Sequence, residues 1–191
     1  MLLHTILDEL GAREVRLRLS SLGSPEARVD YRRALQEYLR AHEDELSGQV
    51  RERIDLNPLR AFDSDHPGTR SVMATAPRLL DELDPGDAEH FAEVQDLLRA
   101  ADLSYSVDTT LVRGLDYYTR TLFEFKSGTL EAAQNTLGGG GRYDGLVELL
   151  GGAPTPGCGW AAGIERIVLA SGGLPVSALT STSPSAASRA R

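Results

Sequence analysis

Three short stretches of this 191-residue chain concentrate arginine, tyrosine and glycine, residue types suited to binding phosphates and planar rings. The first is Arg113-Gly114-Leu115-Asp116-Tyr117-Tyr118-Thr119-Arg120. Its glycine lets the backbone turn or approach a ligand closely, and Arg113 offers a planar, permanently charged fork of N–H donors for which a phosphate is a natural target. The same residues also read as a plain strand connection in which Asp116 pairs with one of the arginines.

The second stretch is Gly138-Gly139-Gly140-Gly141-Arg142-Tyr143-Asp144-Gly145. Consecutive glycines are costly in conformational entropy and are tolerated best where side chains would block something approaching the backbone. The Lys-Ser/Thr ending of a Walker loop is missing, and the Rossmann spacing is not met. A flexible linker is the alternative, against which Arg142-Tyr143-Asp144 argues. The third stretch, Gly157-Cys158-Gly159-Trp160-Ala161-Ala162-Gly163-Ile164-Glu165-Arg166, sets small residues between larger ones, as where a strand and then a helix pass a flat ligand. A Gly/Ala packing interface accounts for it equally.

Those stretches need elements to hold them. Leu2, Leu3, Ile6, Leu7 and Leu10 recur at helical spacing and stop at Gly11; the period then changes to two, with Val15, Leu17 and Leu19 on one face and Arg16 and Arg18 on the other. Ser24-Pro25 reads as a helix start, followed by an apolar stripe of Ala27, Tyr31, Ala34, Leu35, Tyr38 and Leu39. The arginines beside the stripe alternate with acids and read as a solvated face. Asn57-Pro58 and His66-Pro67-Gly68 predict turns, and further helices are expected near 77–83 and over about 87–101. Strands are expected over 103–112 and 119–126, and a helix over about 159–171. The expected organisation is a core segment over 1–23, a helical domain over 24–102, a second core segment over 103–171 and a disordered tail over 172–191. The fold class is α+β, a mainly antiparallel sheet with helices against it.

A net charge of −8 offers no general sleeve for nucleic acid, so any RNA contact must be local, and a free-standing helical RNA-binding module is disfavoured. Lys126 is the single lysine. The lone Cys158 excludes an internal disulfide and any multi-cysteine zinc site. It reads as a small buried residue, since none of His4, His42, His66 and His90 lies in the glycine-rich half. With no apolar run near bilayer length, no membrane partner and a cytoplasmic location are expected.

Taken in order, Leu111-Val112-Arg113-Gly114-Leu115-Asp116-Tyr117-Tyr118, Gly140-Gly141-Arg142-Tyr143-Asp144-Gly145-Leu146 and residues 159–166 resemble the two histidine motifs and the third class II motif of histidyl-tRNA synthetases. Upstream, Ser20-Ser21-Leu22-Gly23-Ser24-Pro25-Glu26, Asn57-Pro58-Leu59-Arg60 and Ala76-Pro77-Arg78-Leu79-Leu80 are similar to landmarks of the helical domain that bacterial members insert. Asn135 and Gly138 stand where the family often has Gly and Cys.

The resemblance implies a partial class II catalytic core, without the first two class II motifs and the anticodon-binding domain. It implies ATP as a substrate accompanied by Mg2+, no protein-bound metal site, histidine and tRNA-His as partners, and a homodimer for the full-length family. Arg113 is the expected catalytic residue at the α-phosphate, Arg166 and Gly163 are expected at ATP with it, and Tyr117, Tyr118, Tyr143 and Gly141 at histidine. The isolated chain is expected to be inactive as a histidine–tRNA ligase. The alternative is a non-catalytic histidine-binding paralogue such as the ATP phosphoribosyltransferase regulatory subunit, which generally lacks the helical insertion.

Overall fold

The computed structural model describes residues 1–111, 117–131 and 134–173, so Arg113 and the expected tail beyond 173 lie outside the described residues. Helix α1 (Leu2–Glu9) buries Leu3 and Leu7, and Gly11 leaves it at φ +70, the left-handed conformation that ends helices most readily without a Cβ. β1 (Val15–Ser21) follows with the alternation its sequence predicts: Leu17 and Leu19 are buried and Arg16 is exposed.

α2 (Ala27–Ala41) begins where Ser24 Oγ accepts the Ala27 N–H at 3.3 Å, and it buries Tyr31, Leu35 and Leu39. Two of its outer arginines meet acids: Arg33 bonds Asp30 at 2.6 Å, and Arg40 pairs with Asp55. α3 (Gly48–Arg51) is a single turn. Pro58 and Pro67, read from sequence as turn residues, instead open a 3-10 segment (Pro58–Asp63) and α4 (Pro67–Ala74). Proline at the first helical position gives up only an N–H that the helix cannot use. Residues 77–83 form no full helix. Arg78 turns its guanidinium back to the carbonyls of Met73 (2.8 Å) and Ala74 (3.1 Å), capping α4, and only the 3-10 turn Leu79–Asp81 follows. α5 (Pro85–Ala100) starts on Asp84, whose Oδ1 accepts the Asp87 N–H at 2.9 Å.

The expected strand over 103–112 shrinks to β2 (Tyr105–Val107), because Asp108 Oδ1 takes the Thr110 N–H and hydroxyl and turns the chain away. Then come β3 (Thr119–Ser127), β4 (Thr136–Arg142), the single-turn α6 (Leu146–Leu149), β5 (Cys158–Ala162) and α7 (Ile164–Ala170). The helix expected over 159–171 is therefore a strand and then a shorter helix. The sheet order is β2-β1-β3-β4-β5, with β2 parallel to β1 and the other three pairs antiparallel. This is a mixed, mainly antiparallel sheet in an α+β fold.

Two cores flank it. Leu3, Leu7, Leu17, Phe125, Ile167 and Ala170 join α1 and α7 to one face. Tyr31, Leu35, Leu39, Val72 and Met73 of the helices between β1 and β2 pack with Leu111, Tyr118 and Leu122 in the other. Fully buried leucines such as Leu35 and Leu39 each contribute about 1.5–3 kcal/mol of transfer free energy. No helix among the described residues is long and apolar enough to cross a membrane.

Candidate functional site

Residues paired across neighbouring strands share a sheet face. The register aligns Arg18, Glu124, Gly139 and Ala161 across β1, β3, β4 and β5, and next to them Leu122, Gly141 and Gly159. The glycine run is thus a strand in mid-sheet. At Gly141 a Cβ would lie 2.5 Å from the Thr121 carbonyl oxygen and 2.9 Å from the Tyr118 ring; at Gly140 it would collide with the Gly159 carbonyl. Close packing requires these glycines independently of any ligand.

At one end of this floor three tyrosines converge. The rings of Tyr117 and Tyr118 are 4.7 Å apart, and that of Tyr143 stands edge-on to Tyr117 at 5.8 Å and lies 6.3 Å from Tyr118. Tyr118 is buried over Gly141, while Tyr117 and Tyr143 are half-buried against the same core. Tyr143 in turn rests on Gly157 and Gly159, where a Cβ on Gly157 would come within 2.7 Å of its ring. Its backbone N–H donates to Gly157 O at 2.8 Å. Four of the residues singled out from sequence, Tyr117, Tyr118, Gly141 and Tyr143, therefore meet.

Arg166 and Gly163 do not join them. Gly163 precedes α7 and donates its N–H to Leu137 O at 2.9 Å, while exposed Arg166 donates Nη1 to Thr136 O at 3.0 Å. Thr136 and Arg142 bound β4, so the tyrosine end and the Arg166 end stand about 20 Å apart at the usual rise per strand residue. The described residues make two patches along one strand. Cys158, read from sequence as buried, is exposed: it starts β5, an outer strand of the sheet.

Between the patches lies a charged row that single-strand reading missed. Arg18 pairs with Asp108 and approaches Glu124 at 3.5 Å, and Lys126 reaches Glu124 at 3.3 Å. The signal was present as period-two charges at Arg16 and Arg18 and at Glu124 and Lys126, but only strand pairing shows that they form one surface. Among the described residues no three metal-ligating side chains converge.

α5 supports the tyrosine end from the other side of the sheet. Asp87, 1% exposed, accepts the Ser24 N–H at 2.6 Å and Arg120 Nε at 2.9 Å. Burial alone would push its carboxyl up, but the bonds from Ser24 and the Arg120 guanidinium outweigh burial and hold it below its ordinary 3.8. The folded chain therefore binds this proton less readily than the unfolded one. The stabilisation is complete above 3.8 and is lost as pH falls through the lower folded value. Urea midpoints measured down the acid limb should fall there, and Asp87→Asn should lower the neutral-pH midpoint while flattening that limb. An unchanged curve would mean that the carboxylate does not hold Arg120.

The Histidyl-tRNA synthetase family model matches residues 2–167. The histidine–tRNA ligase of Halorhodospira halophila is 55% identical over 163 residues, 85% of this chain and 38% of that protein. Among solved structures, apo histidyl-tRNA synthetase of S. aureus aligns with TM-score 0.67 at 33% identity, over 88% of this chain and 40% of that one. A Bacillus halodurans chain described as an ATP phosphoribosyltransferase regulatory subunit/histidyl-tRNA synthetase shares the fold, with TM-score 0.55 at 22% identity, over 88% of this chain and 47% of that one. This chain thus spans less than half the length of each of these proteins.

Proposed function

Because the chain belongs to the histidyl-tRNA synthetase family, we propose that it carries the histidine-facing wall and part of the ATP floor of a histidine–tRNA ligase. In that reaction a histidine carboxylate oxygen attacks the α-phosphorus of ATP, the bond to pyrophosphate breaks, and the resulting adenylate passes its acyl group to tRNA-His. The observation that carries the reading is the convergence of Tyr117, Tyr118 and Tyr143 over Gly141.

Three aromatic walls with hydroxyl edges suit an imidazole, whose two ring nitrogens need fixed polar partners. Such a site rejects amino acids that leave those partners unpaired by orders of magnitude. The charged row of Arg18, Glu124 and Lys126 continues the floor toward Arg166 and Gly163, to which we assign the far end of the nucleotide. Mg2+ would enter as the counter-ion of the ATP phosphates. Arg113 is assigned to the α-phosphate. We further assign residues 24–102 to an inserted helical domain flanked by two segments of the catalytic core, and the complete enzyme to a cytoplasmic homodimer.

The assay is ATP–pyrophosphate exchange with histidine, ATP and Mg2+. The 191-residue chain should show little exchange, because it spans 38% of its ligase relative, and a version extended to the length of the relatives should be active. Strong exchange by the 191-residue chain would show that these residues suffice for activation on their own. An extended protein that binds histidine but never exchanges would be a regulatory paralogue and not a ligase.

A further inference from the structure

We propose that α5 is a clamp on the tyrosine site: Asp87 and His90, one helical turn apart, fix Arg120 and Arg142, and through them the backbone that presents Tyr117, Tyr118 and Tyr143. This rests on the reading of those tyrosines as the histidine wall. Both residues are positioning residues, since they act through the two arginines.

Residues three apart on a helix project from one side, so Asp87 and His90 can reach neighbouring strands together. Arg120 on β3 has φ +50, a left-handed conformation that a non-glycine residue holds only with outside support. That support is visible. The Arg120 N–H donates to Gly23 O at 2.8 Å, its carbonyl accepts the Leu22 N–H at 2.7 Å, and its Nε donates to Asp87. The β3–β4 register shifts between Thr119 and Leu122, so Arg120 sits in an irregularity directly after the tyrosine pair.

On β4, Arg142 spends Nε on both oxygens of Asp144, at 2.9 and 2.7 Å, and turns Nη1 to His90 Nε2 at 3.2 Å. Asp144 also donates its backbone N–H to Thr119 Oγ1 at 3.2 Å, which ties the end of β4 to the start of β3 around Tyr143. A guanidinium can only donate, so Nε2 must be the unprotonated ring nitrogen and the proton must lie on Nδ1. Nδ1 is buried and has no partner among the described residues, so Arg142 is the one hydrogen-bonding contact that orients the ring.

The charges facing His90 are Arg142 from β4, Arg120 from β3, and Glu93 and Asp87 from α5 itself, with Asp144 engaged by Arg142. Burial, then Arg120 and Arg142, hold the imidazole below its ordinary 6.5 against the pull of the two acids. A second proton would set an N–H against the guanidinium. His90 is therefore neutral and engaged above 6.5, and acidification through its lower folded value breaks its bond to Arg142, which then keeps its pair with Asp144 alone and shifts the end of β4 that carries Tyr143.

The test is an NMR titration of the 191-residue chain from about pH 8 to about pH 5, following the His90 ring and the backbone amides of Gly141, Tyr143 and Asp144. These amides should move with His90, at a midpoint below 6.5. In His90→Gln, which keeps an acceptor but cannot be protonated there, they should stay at their high-pH positions throughout. In His90→Lys they should show the acid positions even at neutral pH, and in chains extended to the relatives' length histidine affinity measured by calorimetry should be about tenfold or more weaker for His90→Lys than for His90→Gln, the scale at which small misplacements act. Amides that ignore the His90 titration would overturn the clamp, as would His90→Lys amides at wild-type positions in a chain that far-UV circular dichroism shows to be folded. Should His90→Lys not fold, the wild-type titration and His90→Gln decide. If no variant extended to the relatives' length binds histidine but the coupled titration holds, the clamp stands and the assignment of the wall to histidine falls.

Discussion

Replacing Gly140 by alanine should destabilise the chain by about 3 kcal/mol or more, at the upper end of what one added methyl costs in a packed interior. A Cβ at Gly140 would collide with the Gly159 carbonyl oxygen and lie 2.7 Å from Trp160 Cα, both backbone atoms of β5. A flexible side chain could swing aside; paired backbone cannot. β4 is held on its other edge by β3, so relief would require breaking the pairing of Gly140 with Trp160 or that with Phe123. Gly145 supplies the control, because nothing lies within 4 Å of a Cβ built there and its φ of −86 suits alanine. Gly145→Ala should stay within about 0.5 kcal/mol of wild type. Urea unfolding followed by circular dichroism measures both. If the two variants unfold at the same midpoint, Gly140 is not in a central strand.

Arg113→Ala in a chain extended to the relatives' length should reduce kcat for ATP–pyrophosphate exchange by about 10²- to 10³-fold, the loss of about 3 to 4 kcal/mol seen when one preorganised donor to a developing oxyanion is removed. Attack on the α-phosphorus spreads negative charge over the equatorial oxygens, and a guanidinium stabilises that charge without needing protonation. Leu111 and Tyr118, the described residues that bracket Arg113 in the sequence, are buried in one core. On the role proposed for Arg113 the interaction strengthens in the transition state, so kcat should fall far more than KM for histidine rises. Arg113→Lys should recover part of the rate as a point charge without the fork. Unchanged turnover in Arg113→Ala would remove its role while leaving the tyrosine wall intact.

Local chemistry was legible wherever side chains carried a period or a cap. The Leu3 and Leu7 spacing marked α1, the Leu17 and Leu19 alternation marked β1, and Ser24 marked the entrance to α2. Legibility failed where side chains were small or acted at a distance. Residues 158–162 are Cys-Gly-Trp-Ala-Ala, too short of bulky groups to show a strand period, so β5 was read into the helix that follows it. Arg78 spent its donors on α4 instead of continuing a helix, and Asp108 ended β2 early.

The amino-acid order alone determined which residues are chemically able, since guanidinium, phenol and bare backbone are properties of single positions, and helix and strand periods act over a few neighbours. Which of them meet was decided only by the tertiary structure. Tyr143 reaches Tyr117 and Tyr118 because β4 pairs antiparallel with β3; the same pairing carries Thr136, and Arg166 with it, to the far end of the strand. Exposure of Cys158 followed from strand order, and the hold of Asp87 and His90 on two arginines followed from where α5 docks. Each depends on contacts between residues far apart in the chain, whose geometry is set by packing of the whole and has no local signature.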